Sequence, residues 1–277
     1  MNTQKNYSLD IIRIMAALLV FIPHLILSFS SNTAYTNNAY IISTIGVELF
    51  FCLSGYLICK QGLFIINSRK YFVRNTFIFI IRRVLRTWPA YFFALISYIF
   101  FYRYLEQEII FYIFFLQNLF YPMVSNTFFS VSWSICVEEL FYIIFPTMLC
   151  IISLVLRKKH INSKLLIIYT CLIIILIIFL TRINLDYNDW GNEVRRVSFL
   201  RIDAIAFGGL GYFFLQRYVN YKYLKLLMLL LGASSLTFVY CYFVLYLENN
   251  SFENQIISSN LIFYNIYLFC ISLIFLL

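Results

Sequence analysis

One apolar stretch near the start of the chain, LDIIRIMAALLVFIPHL from Leu9 to Leu25, carries both an arginine and a histidine. Arg13 and His24 are 11 residues apart. At about 100° per residue that separation comes within about 20° of three full helical turns, so a helix stacks the two on one face about 16 Å apart. Imidazole suits proton transfer or nucleophilic attack near neutral pH, and guanidinium suits the binding of phosphate or carboxylate. Further ionisable groups stand in other apolar runs: Glu48 in GVELFFCLSGYLI (46–58), Glu138 and Glu139 in SWSICVEELFY (132–142), Arg201 and Asp203 in FLRIDAIAFGGLGYFF, and Arg82, Arg83 and Arg86 in RRVLRTWP (82–89). Each such group at a bilayer centre costs about 2.5–3.5 kcal/mol on insertion scales, so a purely structural bundle seldom keeps so many.

The segments that must position these groups are membrane spans. The chain of 277 residues is 62% hydrophobic, 21% aromatic and 12% charged, with a mean hydropathy of +0.84. A soluble domain of this length cannot hide that much apolar surface, whereas a protein dissolved in lipid need hide little of it. The net charge of +9 is read as topology signal rather than as nucleic-acid binding. Seven cysteines without a CxxC pair or a Cys/His cluster argue against structural disulfides and against a metal site. The first apolar run is a retained helix and not a signal peptide, since Asp10 and Arg13 crowd its start and no A-x-A site follows.

Runs of spanning length fall at 10–30, 41–60, 76–102, 131–156, 165–181, 198–216, 224–246 and 256–277. A further run at 109–121 is only about 20 Å long as a helix and reads as re-entrant or interfacial. The expected fold is therefore all-α, a polytopic transmembrane helical bundle of about eight spans plus one short segment. Loops rich in Lys and Arg alternate with loops poor in them, which places the N-terminus in the cytoplasm of a multi-pass cell-membrane protein. The mixed loop RINLDYNDWGNEVRR (182–196) fits that pattern least well.

On this topology the ionisable groups sort into two levels. Arg13, Arg82, Arg83 and Arg86 lie toward the cytoplasmic side, and the three closely spaced arginines can present to one side of a helix. His24, Glu48, Glu138, Glu139, Arg201 and Asp203 lie toward the outer side at similar depths. Plainer readings stand beside this one. The arginines serve as snorkelling anchors, Glu48 and Glu138 as packing glue or ion-pair partners, and Arg201 and Asp203 as partners of each other. Ser54-Gly55 marks a close helix approach.

In order along residues 9 to 208, the Arg-x10-His stretch and the segments 46–58, 82–89, 132–142 and RIDAIAFG (201–208) resemble the acyltransferase-3 family. Members of that family are integral-membrane enzymes that acylate cell-surface glycans and related molecules. The resemblance covers about three quarters of the chain and implies a cytoplasmic acyl-CoA donor, acetyl-CoA by default, as co-substrate with no bound cofactor. It further implies a glycan acceptor, cell-surface or lipid-linked. The family has ten membrane helices, so 1–277 is expected to form one domain that lacks its last one or two.

On that resemblance His24 is the expected base or nucleophile, with Glu48 or Glu138 orienting it. Arg13, Arg82, Arg83 and Arg86 bind the phosphates of acyl-CoA, while Arg201, Asp203, Ser54 and Trp133 bind acceptor or hold structure. Two other functions fit the same residues: a transporter or flippase of lipid-linked saccharide, and a truncated, inactive homologue. Acceptor sugar, acyl group and oligomeric state are not legible in the sequence.

Overall fold

The computed structural model describes residues 7–29, 33–67, 72–103, 109–119, 128–155, 162–185, 194–218 and 223. They form helices α1 (Tyr7–Phe29), α2 (Thr33–Asn67), α3 (Phe72–Tyr102), α4 (Ile109–Ile113), α5 (Trp133–Val155), α6 (Ser163–Ile183) and α7 (Ile202–Tyr218), with single 3-10 turns at Ser130–Ser132 and Phe199–Arg201. Five helices are long and apolar enough to cross a membrane: α1, α2, α3, α5 with the turn before it, and α6. At 17 residues α7 is about 26 Å long, just short of a bilayer's apolar thickness. The expected runs at 224–246 and 256–277 lie outside the described residues.

Apolar side chains on the helix flanks remain exposed, as lipid-facing residues should be, while the inter-helical core is dense. Its centre is formed by α2, α5, α6 and α7, with Phe51, Ile58, Phe141, Phe145, Ile167 and Ile205 among the buried residues. A second aromatic cluster joins α3 to α4 and the start of α5 through Tyr91, Tyr112, Phe115 and Phe129. The short segment does not cross: α4 has 5 residues and is followed by turns, one of which places Phe115 at a φ of 58°.

Helices α2 and α7 approach so closely that only glycine fits between them. A Cβ on Gly55 would overlap the Ile205 carbonyl and crowd the Gly209 nitrogen, and one on Gly208 would overlap the Cys52 backbone. The Ser54-Gly55 pair thus does mark a close approach. Between α1 and α2 the contact is looser but of the same kind, since a Cβ on Gly46 would stand 2.8 Å from Val20 Cγ2 and 3.0 Å from the Ala16 carbonyl. Pro23 lies inside α1 directly before His24, and its missing N–H leaves the Leu19 carbonyl without its helical partner.

Candidate active site

The buried polar groups form two clusters on opposite sides of an aromatic pair. The first gathers at the start of α7. Arg201 is 0% exposed and forms an ion pair with Glu48 of α2, itself 2% exposed. Asp203 pairs instead with Arg182 of α6, Nη2 to Oδ2 at 2.5 Å, and Arg182 Nε also donates to the Leu200 carbonyl at 3.0 Å. The expected Arg201–Asp203 pair therefore does not form. Positions i and i+2 lie about 200° apart around a helix, so each residue finds its partner on a different neighbour.

The turn before α7 is fastened to the segment after α4. Asn118 Nδ2 donates to the Arg196 carbonyl at 3.1 Å, and the Ser198 N–H donates to the Asn118 carbonyl at 2.6 Å. This anchors Arg195 and Arg196, whose charges act on the half-buried His24. The Arg195 guanidinium also lies 5.3 Å from the centre of the Trp133 ring. Sequence reasoning placed both arginines, and Arg182, in a mixed loop; neither spacing nor periodicity signals a turn that folds back over a helix end.

The second cluster surrounds Glu138 of α5. Ser54 Oγ donates to Glu138 Oε1 at 3.0 Å, and the Tyr142 hydroxyl donates to Oε2 at 2.7 Å. Glu139, on the adjacent face, accepts from Thr87 Oγ1 of α3. Below Tyr142, the Arg83 guanidinium lies 5.3 Å from the Tyr142 ring centre and 5.5 Å from that of Phe79, and its Nη2 donates to Gln61 Oε1 at 2.9 Å. Of the closely spaced arginines, Arg83 alone is buried, at 8% exposure; Arg82 and Arg86 are exposed. The three lie within an arc of about 100°, with Arg83 at the edge that meets the core and Arg82 and Arg86 turned away from it.

Phe51 and Trp133 separate the two clusters. Their rings meet edge to face with centroids 5.9 Å apart, and Arg201 stands 5.9 Å over the Phe51 ring. On α2, Glu48 is one turn to one side of Phe51 and Ser54 one turn to the other.

Among the described residues no carboxylate flanks His24. Pro23 lines an apolar cavity of about 320 Å³ together with Leu18, Leu19, Ile22, Ile26, Ala39 and Ile42. That pairing, with Gly46 set against Ala16–Val20, puts His24 level with residues 39–42 of α2. Glu48 is then about 10 Å further along the axis and Ser54 about 20 Å. The cavity lies on the flank of α1 opposite to His24, since its lining residues centre about 170° away around the helix. Arg13 is half-buried and holds Asp10 Oδ1 at 2.8 Å, a pair within one turn.

Five helices long and apolar enough to cross a membrane, enclosing ion-paired and hydrogen-bonded groups at two levels, define a polytopic membrane protein. The chain belongs to the acyltransferase-3 family: the family model described as an acyltransferase domain matches residues 6–277. It is thus a membrane acyltransferase by class. No curated protein matches the chain, and no solved structure does.

Proposed function

We propose that the protein moves an acyl group, acetyl by default, from cytoplasmic acyl-CoA to a hydroxyl of a cell-surface or lipid-linked glycan. Family membership supports the reaction class. The observation that carries the finer reading is the separation of group types along the bundle. Arg13, Arg82, Arg83 and Arg86 lie in the half that holds the start of α1 and the end of α2, whereas His24 lies five residues from the other end of α1. Exposed Arg82 and Arg86 can reach the phosphates of a coenzyme, where bidentate guanidinium contacts are strongest. His24, near the opposite end, meets the acceptor. Among the described residues the charges that act on its ring are those of Arg195 and Arg196, which supports a group that binds a sugar hydroxyl over the oriented base of a triad.

The alternating basic loops supply the orientation of this reading, with the start of α1 in the cytoplasm. The test uses membranes that contain the full chain, labelled acetyl-CoA and cell-envelope glycan. Label should pass to the glycan as an ester, Arg82→Ala/Arg86→Ala should raise the donor KM, and His24→Ala should raise the acceptor KM. Glycan movement across the membrane without any acyl-CoA requirement would refute the reading in favour of a carrier.

A further inference from the structure

Three side chains in the second cluster match what covalent acyl transfer requires. A nucleophile stands within hydrogen-bond reach of a base, and the base is fixed by a third group. Ser54 Oγ is 3.0 Å from Glu138 Oε1, and Tyr142 holds the other carboxyl oxygen at 2.7 Å. Among the described residues no ion pair occupies Glu138, in contrast to Glu48 and Asp203, which are bound to arginines. Ser54 and Glu138 are each only partly buried. The pair sits on the Arg83 side of the Phe51–Trp133 contact, toward the cationic half of the bundle.

We propose that Ser54 is the residue acylated by the donor thioester, with Glu138 as general base and Tyr142 as a positioning residue. This rests on the acyl-transfer reading and adds a covalent stage to it. Ser54 Oγ attacks the thioester carbonyl carbon while its proton passes to Glu138 Oε1. The C–S bond of the tetrahedral intermediate breaks, and the departing thiolate takes the proton back from Glu138. The products are an ester on Ser54 and free coenzyme thiol. In the second half an acceptor hydroxyl gives its proton to Glu138 and attacks the ester carbonyl; Ser54 Oγ leaves and recovers that proton. The acceptor binds at His24 and is acylated at Ser54, about 20 Å apart along the axis, so it must be longer than one sugar ring.

The experiment mixes the full-length protein in lipid nanodiscs with labelled acetyl-CoA, quenches in acid and maps the label by peptide mass spectrometry. An acetyl ester on the peptide containing Ser54 is expected, absent in Ser54→Ala and formed about 10²–10⁴-fold more slowly in Glu138→Gln. Ser54→Cys should carry a hydroxylamine-labile thioester at the same position, which shows that the site folds in the variants. Tyr142→Phe should lower the acylation rate while leaving the donor KM unchanged. Glycan acetylation by the wild type with no ester at Ser54, or by Ser54→Ala at the wild-type rate, overturns the proposal and leaves the acyl-transfer reading intact. No consumption of acetyl-CoA by the wild type overturns both.

Discussion

Replacing Gly55 by alanine should separate α2 from α7, and Gly62 provides the control. The methyl group at position 55 has no free direction: it meets the Ile205 carbonyl and the Gly209 nitrogen, which are backbone atoms and cannot rotate away. The axes must move apart, and the Arg201–Glu48 ion pair that bridges the same two helices moves with them. Overpacking of a dense core costs about 1–3 kcal/mol, and a contact against backbone belongs at or above the top of that range. At about 2–4 °C per kcal/mol for a chain of this size, the loss is on the order of 10 °C. At Gly62 the nearest atoms are side-chain carbons, Ile167 Cδ1 at 3.4 Å, with Leu149 Cδ1 and Phe145 Cε1 at 3.5 Å, so a methyl group fits in ordinary contact. Alanine there removes about 1 kcal/mol of glycine's helical disadvantage. Thermal unfolding of both variants in one detergent is the assay. A Gly55→Ala protein as stable as wild type, or a Gly62→Ala protein as damaged as Gly55→Ala, would refute the packing.

Glu48→Gln should destabilise by about 3–5 kcal/mol because it strands the fully buried Arg201 charge, while Glu48→Leu/Arg201→Met should cost far less than the sum of its single changes; additive losses in chemical denaturation count against the pair. Arg182→Gln should loosen the turn at 199–201 by releasing both the Leu200 carbonyl and Asp203, seen as proteolysis near residue 196 that wild type resists; equal resistance refutes it. Cys59 and Cys171 have sulfurs 3.8 Å apart, so a membrane-permeant oxidant should join α2 to α6. Cleavage between residues 67 and 163 then leaves the fragments linked on a non-reducing gel, and fragments that separate show a different helix register.

Much of the fold was legible because lipid imposes a simple length rule. The run at 10–30 corresponds to α1, 76–102 to most of α3, 131–156 to α5 and 165–181 to α6. The start of α2 was missed by about eight residues because Thr33–Tyr40 (TAYTNNAY) is polar and helical at once, and hydropathy sees only the apolar part. For the site, sequence pattern gave the cast but not the pairings. Glu48, Glu138, Arg201 and Asp203 are all buried or half-buried between helices. Which carboxylate meets which arginine depends on helix rotation and on crossings between segments distant in sequence, and neither leaves a periodic trace. Arg182 shows this most clearly. It is the last basic residue of α6, ordinary in sequence, and it is buried only because α7 begins beside it. Depth estimates counted from span ends also placed His24 beside Glu48, an error of about 10 Å, because α2 extends well past the apolar run used as its origin.

The contact of Phe51 with Trp133 has an electrical consequence. A membrane potential falls across the regions that water and mobile ions do not enter, and these two rings, each buried and each faced by an arginine, lie inside the bundle. A unit charge carried across the whole membrane works against, or with, about 2.3 kcal/mol for every 100 mV, and one carried past the rings does the share of that work that falls there. A neutral ester does no such work. Depolarisation should therefore change any step in which a net charge passes the two rings and leave untouched the steps that move no charge past them.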